Sequence, residues 1–135
     1  MSFTTKAAVI LLALTATGQA QARPPLREVP QVVDGFYAIG LADEVRKNCP
    51  SISPRMVRAY MFLRSLESFA RDAGYSEAEI DALADDKAAK DRLKARIRTD
   101  LAARGATPGD ADGYCAVGRE EIARDSAAGR LLRTR

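Results

Sequence analysis

The stretch "GFYAIGLA", Gly35 to Ala42, carries no charge and can be read two ways. A run of that length suits a strand buried on both faces, and it equally suits two turns of a buried helix; its flanks decide between them. Widening the window, Val32, Phe36, Ile39, Ala42, Val45 and Cys49 recur at steps of three and four, which is a helical period. Pro30 suits a first helical position, where its missing N–H loses no bond, and Pro50 cannot continue a helix. A helix from about Pro30 to Asn48 follows.

Working downstream, Ser53-Pro54 has the form of an N-cap followed by a first-turn proline. Behind it Met56, Ala59, Tyr60, Phe62, Leu63, Leu66, Phe69, Ala70 and Ala73 make the most strongly contrasted apolar stripe in the chain, with Arg58, Arg64, Ser65, Ser68, Arg71 and Asp72 mostly opposite. This contrast predicts the central helix, stopping at Gly74. Val57 and Met61 fall one turn apart on the otherwise polar side, marking either a second packing neighbour or an exposed apolar contact. Ser76-Glu77-Ala78-Glu79 is a capping box. The helix it opens loses its apolar phase near Asp85-Asp86, where one of the two acids should cap a longer helix reaching Gly105. Thr107-Pro108-Gly109-Asp110 reads as another cap, with a last helix from about Pro108 to Ser126 or beyond and the basic tail "GRLLRTR" fraying or lying on the body. No segment makes a convincing strand. Four to five amphipathic helices on short connections imply a single all-α bundle over residues 30–135.

Working upstream, residues 23–29 are an extended, proline-containing leader, and residues 1–22 have another character altogether. Lys6 precedes an apolar run, and Ala20-Gln21-Ala22 offers small residues at the positions a signal peptidase reads. The run is too short to cross a hydrocarbon core about 30 Å thick, so a cleaved secretory signal ending near Ala22 is expected instead of a transmembrane anchor. The expected location is the periplasm or the medium, and losing Lys6 lowers the formal charge by one from +3.

Export gives the two cysteines their meaning. In an oxidising compartment Cys49 and Cys115 have only each other to pair with, and a bridge closing so long a loop stabilises by about 4.4 kcal/mol on chain entropy. On a helical wheel Ala111, Cys115, Gly118, Ile122 and Gly129 share one face of the last helix, forming a close-packing seam of mostly small residues beside the bridge. Gly118 should let that helix lie against the C-terminal end of the first, within the short Cα separation a disulfide needs.

"LREVP" at Leu26–Pro30, "C-x-S-I-S-x-R" at Cys49–Arg55, "GYSEAEIDAL" at Gly74–Leu83, "YCAVGREEIA" at Tyr114–Ala123 and "GRLLR" at Gly129–Arg133 appear in order. Together they resemble a family of small secreted bacterial proteins catalogued as a domain of unknown function, from Leu26 to Arg133. The resemblance implies a short exported helical protein with two cysteines, and it supplies no catalytic residue.

Composition argues against several chemistries. The 135 residues include no histidine, which leaves a cysteine nucleophile without its usual base, and two distant cysteines do not make a zinc site. Gly109-Asp110-Ala111-Asp112-Gly113 lacks the remaining ligands of a calcium loop. No metal or cofactor is expected. The basic stretch Lys87–Arg104 is offset by Asp85, Asp86, Asp91 and Asp100 and has no interleaved aromatics, so it reads as a salt-bridged solvent face and not as a nucleic-acid surface. Arg130, Arg133 and Arg135 leave room for weak contact with an anionic surface.

The functional expectation is a non-catalytic exported protein that acts by binding, an accessory or interaction protein with an unknown protein partner in the envelope. Two alternatives stand beside it. One is a peptidoglycan-active enzyme using Glu67 in "LESF", although Arg71 four residues on would stabilise the charged form. The other is an acid-stress chaperone, whose trigger would have to be carboxylates because histidine is absent.

Overall fold

The computed structural model describes residues 22–135, so the expected signal segment lies outside the described residues except for Ala22. Leu26–Glu28 form a short 3-10 turn, and five helices follow: α1 (Pro30–Asn48), α2 (Met56–Asp72), α3 (Glu77–Asp85), α4 (Lys87–Ala103) and α5 (Ala111–Ala123). Two three-residue strands, β1 (Ile52–Pro54) and β2 (Leu132–Thr134), pair antiparallel, with Ile52 opposite Thr134 and Pro54 opposite Leu132. The fold is an all-α bundle with this small sheet at one end.

Helix α1 begins at Pro30 and ends at Asn48, and it is the axis of the molecule. Val32, Gly35, Ala38, Leu41, Ala42 and Val45 are all buried, a wider arc than the stripe read from the sequence. Neighbouring helices reach it where a side chain is missing. A Cβ on Gly35 would stand 2.5 Å from Leu66 of α2, and one on Gly40 would stand 2.5 Å from Ile97 of α4. The main core then gathers Leu41, Val45, Cys49, Ile52, Ile97, Leu101, Tyr114, Cys115, Val117 and Leu132.

Helix α2 is therefore not central, which corrects the expectation from its strong stripe. Only Leu66 and Ala70 are buried along it, while Ala59, Phe62, Leu63 and Phe69 are half-buried and Met56 and Tyr60 are exposed. The physical reason lies in the pattern itself: sharp amphipathic contrast marks a helix with one wet face, whereas a helix surrounded by protein is apolar all round and shows little contrast.

The local signals fare better. Ser76 accepts from the Glu79 N–H at 3.2 Å while Glu79 reaches back to the Ser76 N–H at 2.7 Å. Asp86 accepts from the Ala89 N–H at 2.9 Å, so the chain breaks between α3 and α4 as expected. Two caps differ from expectation. Pro108-Gly109 is a turn with Gly109 at φ +88°, and α5 starts later, with Asp110 accepting from the Gly113 N–H at 3.2 Å. Ser53 lies in β1 and caps nothing; its hydroxyl accepts from Arg135 Nε at 2.6 Å. The tail does not fray. Leu131 and Leu132 are buried, the Leu131 carbonyl accepts from the Arg55 N–H at 2.7 Å, and the Arg135 N–H donates to the Ser51 carbonyl at 2.9 Å.

The leader is also held more firmly than an extended segment would be. Leu26 is buried with Val32, Ala70 and Tyr75 in a second, smaller core. Tyr75 donates to the Pro24 carbonyl at 2.7 Å, and the Arg23 guanidinium lies 5.0 Å over the Tyr75 ring.

Candidate binding site

The disulfide forms as the sequence implies. Cys49, capping the end of α1, and Cys115, in α5, lie 66 residues apart in sequence with Cα atoms 5.1 Å apart, and both are buried. Gly118 has the role expected of it: a Cβ there would collide with Ile52 and stand 2.7 Å from Val45 of α1. The rest of the seam is shorter than the wheel suggests. Ile122 is half-buried, Ala111 is exposed, and Gly129 lies beyond α5 in a 3-10 turn over Gly129–Leu131, because the helix stops at Ala123. Gly129 is buried for another reason, since a Cβ would run into the Glu121 carbonyl.

That return turn is organised by Glu121, a carboxylate only 3% exposed. Its Oε1 lies 2.8 Å from Arg104 Nη1 and 2.6 Å from Arg124 Nη2, and its other oxygen accepts from the Ser126 hydroxyl. Ser126 Oγ in turn accepts from the Gly129 N–H at 2.9 Å. Burial alone would raise the Glu121 pKa, but the Ser126 hydroxyl and the Arg104 and Arg124 charges outweigh it and hold the carboxyl below its ordinary value. Nothing in the sequence around Glu121 announces this network, whose members come together only when the chain turns back after α5. Every partner of Glu121 is thus structural, and so is the bridge.

Glu67 is half-buried and taken up by two arginines, Arg64 Nη1 at 2.8 Å and Arg71 Nη2 at 3.7 Å. Among the described residues no group of three or more histidine, cysteine or acidic side chains could hold a metal ion, and no helix is long and apolar enough to cross a membrane. The three tail arginines do not act as one patch. Arg135 is bonded to Ser53, Arg130 lies 3.8 Å from Asp125, and Arg133 faces solvent from the β2 edge.

Two surfaces remain that neither packing nor pairing uses up. The first is on α2. Val57 and Met61 are 78% and 59% exposed, and Met56 and Tyr60 join them at 66% and 61%. The four positions fall within one arc of the helix over two successive turns, bounded by Arg58 and Arg64. Val57 and Met61 thus have no packing neighbour among the described residues large enough to bury them, and Met56 and Tyr60 extend the exposed apolar area. Large exposed apolar groups clustered this way are uncommon on a monomeric protein.

The second surface is a pocket of about 410 Å³ between α1, α3 and α4. Val32, Val33, Phe36, Leu83 and Leu93 form its floor and walls, and Arg27, Lys90, Arg92 and Arg96 stand around it with Glu28. A second pocket of about 260 Å³ shares Val32, Phe36, Leu83 and Lys90 with the first and continues toward Leu63, Leu66 and Ile80. Arg96 is set in place from behind: its guanidinium lies 4.7 Å over the Tyr37 ring and 3.9 Å from Asp100. The Tyr37 hydroxyl donates to the same Asp100 at 2.7 Å, and burial together with that carboxylate pushes its pKa up to about 12. Sequence reading missed this pocket because its walls come from three helices and the 3-10 turn, and none is apolar enough alone to announce it.

Fold and site define a class: a small helical domain, closed at one end by a disulfide and a two-stranded sheet, with an exposed apolar face at the start of α2 and a pocket between α1, α3 and α4. Within that class the chain belongs to the family described as "Family of unknown function (DUF5333)", which matches residues 24–133. No curated protein and no solved structure shows a significant match to it.

Proposed function

We propose that the protein is exported, loses residues 1–22, and works in the cell envelope as a non-catalytic accessory protein that binds another protein through the α2 face Met56, Val57, Tyr60 and Met61. That exposed face is the observation that carries the proposal. Its composition favours a protein over a lipid surface. Methionine and tyrosine are typical of adaptable protein interfaces, while membrane-lying helices lean on tryptophan, phenylalanine and leucine, and none of those is among the four. Arg58, which has no acidic partner within 4 Å among the described residues, fits a partner carrying acidic side chains around an apolar centre. Export is supported by the apolar run within residues 1–22 and by a buried disulfide, which persists best in an oxidising compartment.

A photo-crosslinking residue at Tyr60 tests the reading in the exported protein. A discrete protein adduct should form and should disappear when Val57→Asp and Met61→Asp are introduced together. Crosslinks to lipid alone would replace the protein partner with a membrane surface, and an adduct insensitive to the double substitution would end the proposal. The mass of the exported chain should place Arg23 at its N-terminus; an uncleaved chain retained in the cytosol would remove the envelope from the account.

A further inference from the structure

We infer that the pocket between α1, α3 and α4 is a binding site for a single-chain anionic amphiphile, a molecule with one alkyl chain and a compact anionic head. This site is separate from the α2 face and does not depend on the partner proposed for it.

The argument begins with charge. Five charged residues line the larger pocket, and four of them are cations. Two of those four have no acid within 4 Å among the described residues: Lys90 and Arg92 stand on α4 facing solvent, although Lys87 and Arg96 on the same helix are paired with Asp91 and Asp100. Arg27 has only the weak, exposed pairing with Glu28 at 3.7 Å, and Arg96 is already oriented by Tyr37 and Asp100. Unpaired cations beside apolar walls are a standing demand for a ligand that offers both an anion and hydrocarbon. Opposite charge gathered at the mouth of a low-dielectric cleft also attracts such a ligand from solution.

Shape gives the second half. The space of about 410 Å³ lies within the range of ordinary small-molecule sites. Its wall is shared with the smaller pocket through Val32, Phe36 and Leu83, so the two adjacent apolar spaces would offer an alkyl chain entering between α3 and α4 a route toward Leu66 and Ile80 once these side chains shift. Glu67 at the far wall is engaged by Arg64 and Arg71. The lid over this path is α3, a nine-residue helix with no buried residue, which can shift to admit a chain at little packing cost. A neutral alcohol would leave the rim cations unanswered, and a cationic surfactant would meet them head-on.

Calorimetric titration of the disulfide-bonded protein with decanoate and with decyl phosphate, each below its micelle concentration, tests the inference. Decanol and decyltrimethylammonium are the controls. At least one anion should bind saturably at one site per chain, roughly tenfold or more tighter than decanol, with affinity falling as salt is added. Which of the two binds tighter assigns the head as carboxylate or phosphate. Lengthening the chain by two methylenes should tighten binding by roughly tenfold while room remains. The double variant Lys90→Gln, Arg92→Gln changes exposed residues and should fold normally; it should weaken the anion by about five- to tenfold and leave decanol unchanged. Ala84→Trp, on the exposed side of α3, should fill the entrance and block both. Equal binding of decanol or of the cationic surfactant would reduce the pocket to a generic apolar cleft and overturn the inference, as would the absence of saturable binding by either anion. Anion binding left unchanged by the Lys90→Gln, Arg92→Gln double variant would do the same.

Discussion

The two ends of the bundle are built on opposite principles. At one end α1, β1, β2 and α5 meet around the Cys49–Cys115 bridge, with Val45, Ile52, Ile97, Leu101 and Leu132 almost completely inaccessible and the chain terminus paired into the sheet. At the other end the second core gathers four buried residues, α3 buries none, and the pockets open between helices. The stapled end should therefore determine global stability, with the exposed α2 face starting just beyond β1, while the open end carries the pocket and should contribute less to global stability. Small domains need supplementary cross-links because their cores are limited, and here the cross-link lies away from the residues that line the pockets.

The strongest way to break this contrast is to remove the staple. Reduction of the bridge, or Cys49→Ser with Cys115→Ser, should cost about 4 kcal/mol and bring a large drop in thermal midpoint, read by circular dichroism with and without reductant. A melting curve unchanged by reductant would mean that the closed end is held by packing alone. Gly118→Leu attacks the same end without touching sulfur. Its side chain would have to displace Ile52 and Val45, so a loss of about 1–3 kcal/mol is expected together with slower oxidation of the reduced chain. A variant that oxidises and melts like the parent would show that α5 does not depend on that close approach.

Acid should loosen the closed end in a defined direction. Glu121 has its pKa depressed in the folded protein, so the folded state prefers the ionised form more strongly than the unfolded chain does. Its contribution is complete above the ordinary glutamate value of 4.5 and is lost as pH falls through the lower folded value. Glu121→Gln should lower stability at neutral pH by about 1–3 kcal/mol and flatten the stability profile below pH 4.5. If the parent and the variant lost stability in parallel on acidification, other carboxylates would carry the effect. The same measurement bears on the acid-stress reading: a chaperone triggered by acid would need this end to open while secondary structure persists.

How far the sequence anticipates the molecule follows the same division. Local chemistry is legible wherever a residue type has one job: Pro30 opening α1, the Ser76–Glu79 box, Asp86 capping α4 and Gly74 ending the α2 corner at φ +90°. The bridge is legible because two cysteines leave one pairing. Long-range placement is not. The period of α1 shows that it is a helix but not that it is the axis, because its buried residues cover a wide arc and leave little amphipathic contrast, while the bright stripe of α2 belongs to a helix whose first turns remain bare. The strands are three residues each and pair across most of the chain, too short for any alternation to register. The seam extrapolated to Gly129 assumed that α5 continues, whereas Asp125 at φ +49° turns the chain and the Glu121 network holds it. The α2 spot was half visible through Val57 and Met61. The pocket was invisible, because Arg27 and Arg92 become neighbours only after docking.

The smallest effect expected is also the most specific to the open end. Ser76→Ala removes the side-chain half of the capping box, since the serine oxygen no longer receives the Glu79 N–H, while the Glu79 carboxylate can still accept from the backbone N–H of residue 76. Such a cap is worth about 1 kcal/mol to the helix that carries it. In most helices that loss would be shared with the whole fold, because packing couples the helix to the core. α3 has no buried residue through which to share it, and it touches the body mainly along the leader turn and the corner after α2. The global melting midpoint should therefore hardly move, while amide hydrogens of Ile80–Asp85 exchange roughly fivefold faster. If exchange accelerates equally in α1 and α5, the two ends form one cooperative unit and the division drawn between them is wrong. If it accelerates only in α3, the lid over the pocket is a separately adjustable element. Binding at the pocket should then slow that exchange in proportion to the ligand's occupancy.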